Sequence, residues 1–311
     1  MELRDIAASS GPGVVRARDD RHDVRRFAHE AMATVFEVHC VHDDERYAAQ
    51  AAEAAFEIVD RLERELSRFL PNSDIARINH LDPGGTARVG ASALECLSIA
   101  RYMFDLTGGA FDVSMGTGLP SLELDADRFE VRATAAGVRI DLGGIGKGYA
   151  VDRMAEALEE WGVTHAVLHG GFSSLLALEP PPGQDGWPLT LSDTNGPARV
   201  LIRLSARQTA LAASGVRKKD HIVDPRTGEP CRGRLAAWGA VPRPEANAGA
   251  EQRGAAATVT DALTTALMLL GTDDIERLCE SSPGLEAWIL PEPAGDRHGE
   301  SRLLHFGGAA D

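Results

Sequence analysis

The sequence predicts an α+β fold of mixed, mainly antiparallel sheets with packed helices, arranged in two closely packed lobes. Three observations carry this. Residues 45–69 hold a long helical pattern, with Ala54, Ile58, Leu62 and Leu66 spaced four apart. Short runs such as VRIDL at 138–142 alternate apolar and polar residues, as strands with one wet face do, and that is the habit of antiparallel sheets. Further helical patterns are interleaved among these strands. At 311 residues, 43% of them hydrophobic, the chain can bury a large core.

In order, residues 1–26 are charged and rich in Gly, Ala and Asp, which predicts a flexible arm, and residues 27–311 read as one domain. A strand is expected at 34–42, the long helix at 45–69, a punctuated turn in FLPNSDIARIN, and a second helix at 92–106. A glycine-rich loop then precedes a helix at 150–161. Strand-like runs follow at 166–169, 175–178, 189–192 and 200–204. Pro180, Pro181, Pro182 and Gly183 mark a surface loop, and about 242–254 the low hydrophobicity predicts a mobile insertion. A last helix is expected at 260–270 and a strand at 285–290, before a Gly-rich tail. No internal repeat is visible.

The formal charge of -15 argues against a nucleic-acid partner, which would need Lys and Arg clustered on one face. Cys40, Cys96, Cys231 and Cys279 are scattered without CxxC spacing, so they read as core thiols rather than a zinc site or a disulfide framework. The first residues lack the apolar run of a signal peptide, and no window reaches the length of a membrane span, so a cytoplasmic location is expected.

The densest chemical signal is DLGGIGKGYAVD at 141–152. Gly143, Gly144, Gly146 and Gly148 cost backbone entropy that suggests close approach, and free N–H groups at a helix start suit a phosphate. A Walker loop fails because Lys147 is followed by Gly148 rather than Ser or Thr, and a dinucleotide fingerprint fails because VRIDL is not an apolar parallel strand. A plain strand-to-helix turn fits the run equally well.

Three further segments carry polar groups. In TVTDALTTALMLLG, Asp261 and Thr265 stand four apart on one helical face, as two oxygen ligands of a hard cation would. The plain alternative is a first-turn dipole partner and an ordinary helical threonine. In AASGVRKKDHIVDPRTGEP, His221 has the chemistry of a general base or of a structural histidine, and Asp224 before Pro225 also reads as turn chemistry. In ELSRFLPNSDIARIN, Phe69 suits either a core cap or a stacking platform for a planar ligand. TGGAFDVSMG adds a glycine-rich turn with Asp112.

Taken together, MAT at Met32, ELSRF with NSDIARIN, TGGAFD, DLGGIGKGYAVD, GG at Gly170, AASG, HIVDPRTGEP and TDALTTAL resemble, in order and wording, the ApbE-type FAD:protein FMN transferases. The resemblance spans about 32–271. It implies an ApbE-like fold and a magnesium-dependent enzyme that takes FAD, transfers FMN to a threonine or serine hydroxyl of an acceptor protein, and releases AMP. It further implies that Asp261 and Thr265 offer side-chain oxygens to Mg²⁺, with the carbonyl of Gly146 as a third ligand. Lys147 would hold the pyrophosphate, His221 would deprotonate the acceptor hydroxyl, and Phe69 would lie against the isoalloxazine ring. Met32, Asp141, Gly143, Gly144, Ser214, Gly215 and Asp224 stand on matched motifs and are expected to line the FAD site. The alternatives are an FAD pyrophosphatase, giving FMN and AMP without an acceptor, and a non-catalytic FAD-binding protein.

The chain departs from the family pattern in places. Ala33 stands where Gly is usual, Gly146 where Ala is usual, and GGFSS at 170–174 where many members have GGD. Only VRKKD separates Gly215 from His221, where many have a longer excursion. Arg217, Lys218 and Lys219 there would meet the adenylate phosphate, an acidic acceptor, or solvent alone.

Overall fold

The computed structural model describes residues 24–192, 199–216, 222–244, 255–293 and 302–308, together with the backbone of 13–16. The first half contains β1 (Gly13–Arg16), β2 (Arg25–Ala31), β3 (Thr34–Cys40), α1 (Glu45–Leu66), α2 (Asp74–Ile78), β4 (Thr86–Arg88), α3 (Ala91–Leu106), β5 (Leu122–Asp125) and β6 (Glu130–Ala133). The second half runs α4 (Gly146–Glu160), β7 (Ala166–Gly170), β8 (Ser174–Ala177), β9 (Trp187–Ser192), β10 (Val200–Ala206), β11 (Thr209–Gly215) and β12 (Arg234–Pro242). It closes with α5 (Ala256–Leu267), α6 (Thr272–Ser281), β13 (Glu286–Pro291) and β14 (Leu304–Gly307).

The main sheet has eight strands in the order β14-β13-β12-β11-β8-β7-β3-β2, and every neighbouring pair is antiparallel. A three-stranded sheet, β1-β9-β10, contributes Trp187, Leu189 and Leu191 to a core shared with Trp238 and Trp288 of the main sheet. A small sheet, β4-β6-β5, packs on α2 and is tied to α3 by Arg101, which donates to the carbonyl of Leu122 in β5. Of the residues expected to form an arm, Gly13–Arg16 pair antiparallel with β9.

Side chains alternate between two cores. Along β8, Leu175 and Ala177 join the tryptophan-rich core, while Leu176 and Leu178 beside them join the larger core under the helices. Both faces being covered, β7 and β8 are buried throughout, which is why their sequences read as apolar runs.

Helix α1 begins where the Asp44 carboxylate accepts from the amides of Arg46 and Tyr47 at 2.9 and 3.1 Å. Its buried stripe is Ala48, Ala51, Ala52, Ala55, Phe56, Val59, Leu62 and Leu66, so the expected Ala54 and Ile58 fall on the half-buried margin. The helix ends at Leu66, because Ser67 turns extended ahead of the Pro71 loop.

Two sequence expectations need correction. Residues 138–142 alternate as predicted but join no sheet; the Asn79 side-chain amide takes the partner strand's place, donating to Ile140 O at 2.9 Å and accepting from its N–H at 2.6 Å. The last predicted helix starts earlier, at Ala256, and is followed past Gly271 by α6, whose Asp273 and Asp274 sit favourably in its first turn. The mobile insertion expected about 242–254 lies outside the described residues from 245 onward.

Helices α4 and α5 lie over the middle of the main sheet. α4 rests on β7 and β8, and α5 on β8, β11 and β12, the central four strands of the sheet. They meet at Gly148, where an added Cβ would stand 2.7 Å from the carbonyl carbon of Ala257 and 2.9 Å from Asp261 Cβ. Only glycine admits that approach.

Candidate active site

The close crossing brings the two strongest sequence signals together. The Gly148 amide in the first turn of α4 donates to Asp261 Oδ2 at 3.0 Å. The Lys147 ammonium reaches the same oxygen at 3.3 Å and the carbonyl of Gly143 at 3.2 Å. Asp261 is buried, with only 4% of its side chain exposed, and Lys147 keeps 23%. Lys147 is thus a bonded, partly exposed cation rather than a free surface lysine.

The plain reading of Asp261 as a first-turn dipole partner does not hold, because α5 starts at Ala256 and Asp261 lies in its second turn. The first turn is served by a residue that sequence reading passed over. Asp152 of α4 accepts from the amides of Ala257 at 3.0 Å and Thr258 at 2.8 Å, and from the Thr258 hydroxyl at 2.6 Å. The helix has no cap of its own at Ala255. Burial pushes the Asp152 carboxyl up to about 7, against the pull of the Thr258 and Ala257 hydrogen bonds. A carboxylate on the apolar face of the 150–158 pattern was the available signal.

Thr265 stands one turn beyond Asp261. An added Cβ at Gly144 would lie 3.5 Å from Thr265 Oγ1 and 3.3 Å from Phe111, so the glycine loop backs directly onto this hydroxyl. Ser214 at the end of β11 lies 3.0 Å from Thr264 Oγ1 and 3.5 Å from Thr265 Oγ1. Gly215 follows it in register with Ala236. None of Gly143, Gly144, Gly146 and Gly148 has a positive φ, so Gly144 and Gly148 serve close approach rather than a left-handed turn. Gly146 is the first residue of α4, and the loop carbonyl that the Lys147 ammonium meets is that of Gly143.

Met32 and Ala33 form the two-residue turn joining β2 to β3, both at positive φ, as a type I′ hairpin requires. This turn is linked to the site through the GG pair. A Cβ on Gly171 would meet Thr34 Oγ1 at 2.5 Å, and one on Gly170 would lie 3.3 Å from Lys147 O.

Phe69 is 77% exposed, as a platform for a planar ligand would be. The Arg68 guanidinium lies 4.5 Å from its ring centre and pairs with Asp141 at 3.1 Å. Asp141 also accepts from the Gly143 amide at 3.0 Å. Arg68 therefore joins Phe69 to the glycine loop, a link that neighbouring letters in the sequence did not announce.

Asp224 stands apart from this group. Arg226 donates to both its oxygens at 2.8 and 2.7 Å, and this pairing lowers its pKa. Its carboxylate is committed to the DPRTG turn. That turn packs on TGGAFDVSMG, where a Cβ on Gly116 would meet Pro225 O at 2.6 Å. Asp112 likewise binds its own loop, through Ser114 and Gly116. Beyond the turn, Arg226, Cys231 and Arg234 donate to the carbonyls of Leu269, Met268 and Leu267 at the end of α5. His221 and Arg217, Lys218 and Lys219 lie outside the described residues.

Residues 32–120 and 116–289 match the ApbE family. The chain belongs to the ApbE family. Among relatives of this ApbE chain, a FAD:protein FMN transferase of Treponema pallidum is 22% identical over 78% of this chain and 77% of its own length. One from Salmonella typhimurium is 21% identical over 85% and 86%. The ApbE fold is also seen in solved structures. The flavin transferase ApbE from Vibrio cholerae superposes with a TM-score of 0.75 at 16% identity, covering 91% of this chain and 97% of the other. The Pseudomonas stutzeri flavinyl transferase ApbE, apo form, gives 0.75 at 20% identity, covering 91% and 94%.

The cysteines fit their reading as core thiols. All four cysteines are free and buried, and burial pushes the Cys40 and Cys279 thiols up to about 11. Among the described residues no group of three or more His, Cys, Asp or Glu gathers as a metal centre, and no helix is long and apolar enough to cross a membrane.

Proposed function

We propose that this protein is a magnesium-dependent FAD:protein FMN transferase, moving FMN from FAD to a threonine or serine hydroxyl of an acceptor protein with release of AMP. The observation that carries the reading is the convergence of Asp261, Thr265, Lys147 and the glycine loop in one place. Family membership and the named activity of the relatives support it.

The donor set fits a hard cation. Asp261 offers a carboxylate oxygen, Thr265 a hydroxyl, and the loop main-chain carbonyls; the Asp261 oxygen and the Gly143 carbonyl already attract the Lys147 ammonium. A single carboxylate suits Mg²⁺, which keeps few protein ligands and completes its shell with substrate oxygens and water. Bound there, the ion supplies charge neutralisation on the pyrophosphate.

The residues divide the remaining work. Phe69 offers its open face to the flavin, and Arg68 orders that face against Asp141. Lys147 places a positive charge where the pyrophosphate gathers negative charge. By the family resemblance, His221 takes the proton of the acceptor hydroxyl. The acceptor oxygen then bonds to the FMN phosphorus as the bond from that phosphorus to the bridging oxygen breaks, and AMP leaves with the bridging oxygen.

The test is incubation with FAD, Mg²⁺ and an acceptor protein carrying a flavinylation threonine, reading in-gel flavin fluorescence and AMP. Labelled acceptor with AMP is expected. AMP without label would turn the reading to FAD hydrolysis, and bound FAD with neither product would turn it to a carrier.

A further inference from the structure

We infer that Asp152 is a positioning residue for this reaction: by holding the first turn of α5 against α4, it sets the place of Asp261 at the site. The inference rests on the proposed role of Asp261 as a metal ligand.

The two helices run antiparallel where they cross at Gly148, and each sends an aspartate to the other's first turns. Asp261 of α5 accepts from Gly148 on α4, and Asp152 of α4 accepts from Ala257 and Thr258 on α5. Asp152 lies one turn beyond Gly148, and Ala257 one turn before Asp261, so the two contacts are neighbouring rungs of one crossing. Because no Cβ fits at Gly148, the helices approach backbone to backbone there, and these polar rungs bridge the approach on either side.

The rungs are not equivalent. Asp152 is 1% exposed, and among the described residues its carboxylate accepts only from the start of α5, with no bond to Lys147. Asp261 shares its oxygen with the partly exposed Lys147. Asp152 is the rung that chemistry leaves alone, so it can keep the helices in register while Asp261 exchanges partners.

Asp152→Asn tests this, with Thr258→Val as a milder variant that removes one bond and keeps the side-chain shape. Amide hydrogen exchange in the intact protein is the first readout. Losing one rung contact should speed exchange at Gly148, whose amide bonds Asp261 across the crossing, about 10-fold in Asp152→Asn and less in Thr258→Val. Mn²⁺ affinity should weaken in the same order, with kcat falling and KM for FAD unchanged. Faster exchange confined to Ala257 and Thr258, with Gly148 and Mn²⁺ affinity unaffected, would overturn the inference and leave Asp152 a simple cap. If Asp152→Asn does not fold, Thr258→Val decides between the same outcomes. Failure of the unaltered protein to take Mn²⁺ would count against the metal reading, while exchange at Gly148 would still decide the role of Asp152.

Discussion

Gly148 and Asp261, more than a hundred residues apart in the chain, share a 3.0 Å hydrogen bond from backbone amide to buried carboxylate. The bond exists because Gly148 has no side chain. Gly148→Ala would drive a methyl to 2.7 Å from the Ala257 carbonyl carbon, part the helices, and cost about 3 kcal/mol. Thermal unfolding should show the loss, and flavin transfer should fall with it even at temperatures where the variant stays folded.

Lys147 lies 3.3 Å from the Asp261 oxygen that the proposed divalent ion would use. Lys147→Met should therefore bind Mn²⁺ more tightly than the unaltered protein, by about 10-fold, while turnover drops about 100-fold for want of charge at the pyrophosphate. Paired Mn²⁺ titration and transfer assays read both; weaker Mn²⁺ binding in the variant would remove Lys147 from the metal's competitors.

Phe69 contributes little to stability at 77% exposure. Phe69→Ala should leave the unfolding free energy within about 0.5 kcal/mol. It should weaken FAD binding by about 1 kcal/mol, a factor of roughly 5, if the ring stacks on the flavin. Flavin fluorescence quenching on titration measures the second effect.

Ala33 sits at φ 57° in the β2–β3 turn, next to Met32 at 49°. A Cβ is strained there, and the family's usual glycine is not. Ala33→Gly should raise stability by about 1 kcal/mol and the Tm by about 2 °C. An unchanged or lower Tm would mean that this turn carries no such strain.

Glu37 sets an acid limb. Burial alone would raise its pKa, but hydrogen bonds from His39 and Arg26 outweigh burial and hold it at about 2, below the ordinary 4.5. A depressed carboxyl stabilises the fold above its unfolded pKa, and that contribution, about 3 kcal/mol, drains away as pH falls from about 4.5 to 2. Denaturant unfolding of Glu37→Gln across that window should show a flatter acid limb than the unaltered protein.

How much of the molecule was legible in the sequence depends on where each signal is stored. The helices and the strands of the second half were readable, because their periodicities are local. Asp261, Thr265 and the glycine run were readable as candidates by residue type and spacing, and family wording joined them. Asp152, Arg68 and Asn79 were not, since each acts on a partner that only the tertiary fold delivers. Asn79 shows the limit: a strand-like alternation at 138–142 is real, yet its hydrogen-bonding partner is a side chain about sixty residues away. Asp224 shows the converse, since its turn chemistry was visible beforehand and is what Arg226 confirms.

The seating of α4 and α5 on the central four strands has a consequence for how the molecule opens. Thermal fraying of an open sheet begins at its edges, here β2 and β14. Either edge must peel through two strands before it undermines β7 or β12, so the crossing of the two helices is the last region that partial unfolding reaches. The proposed site sits at the slow end of the protein's own clock.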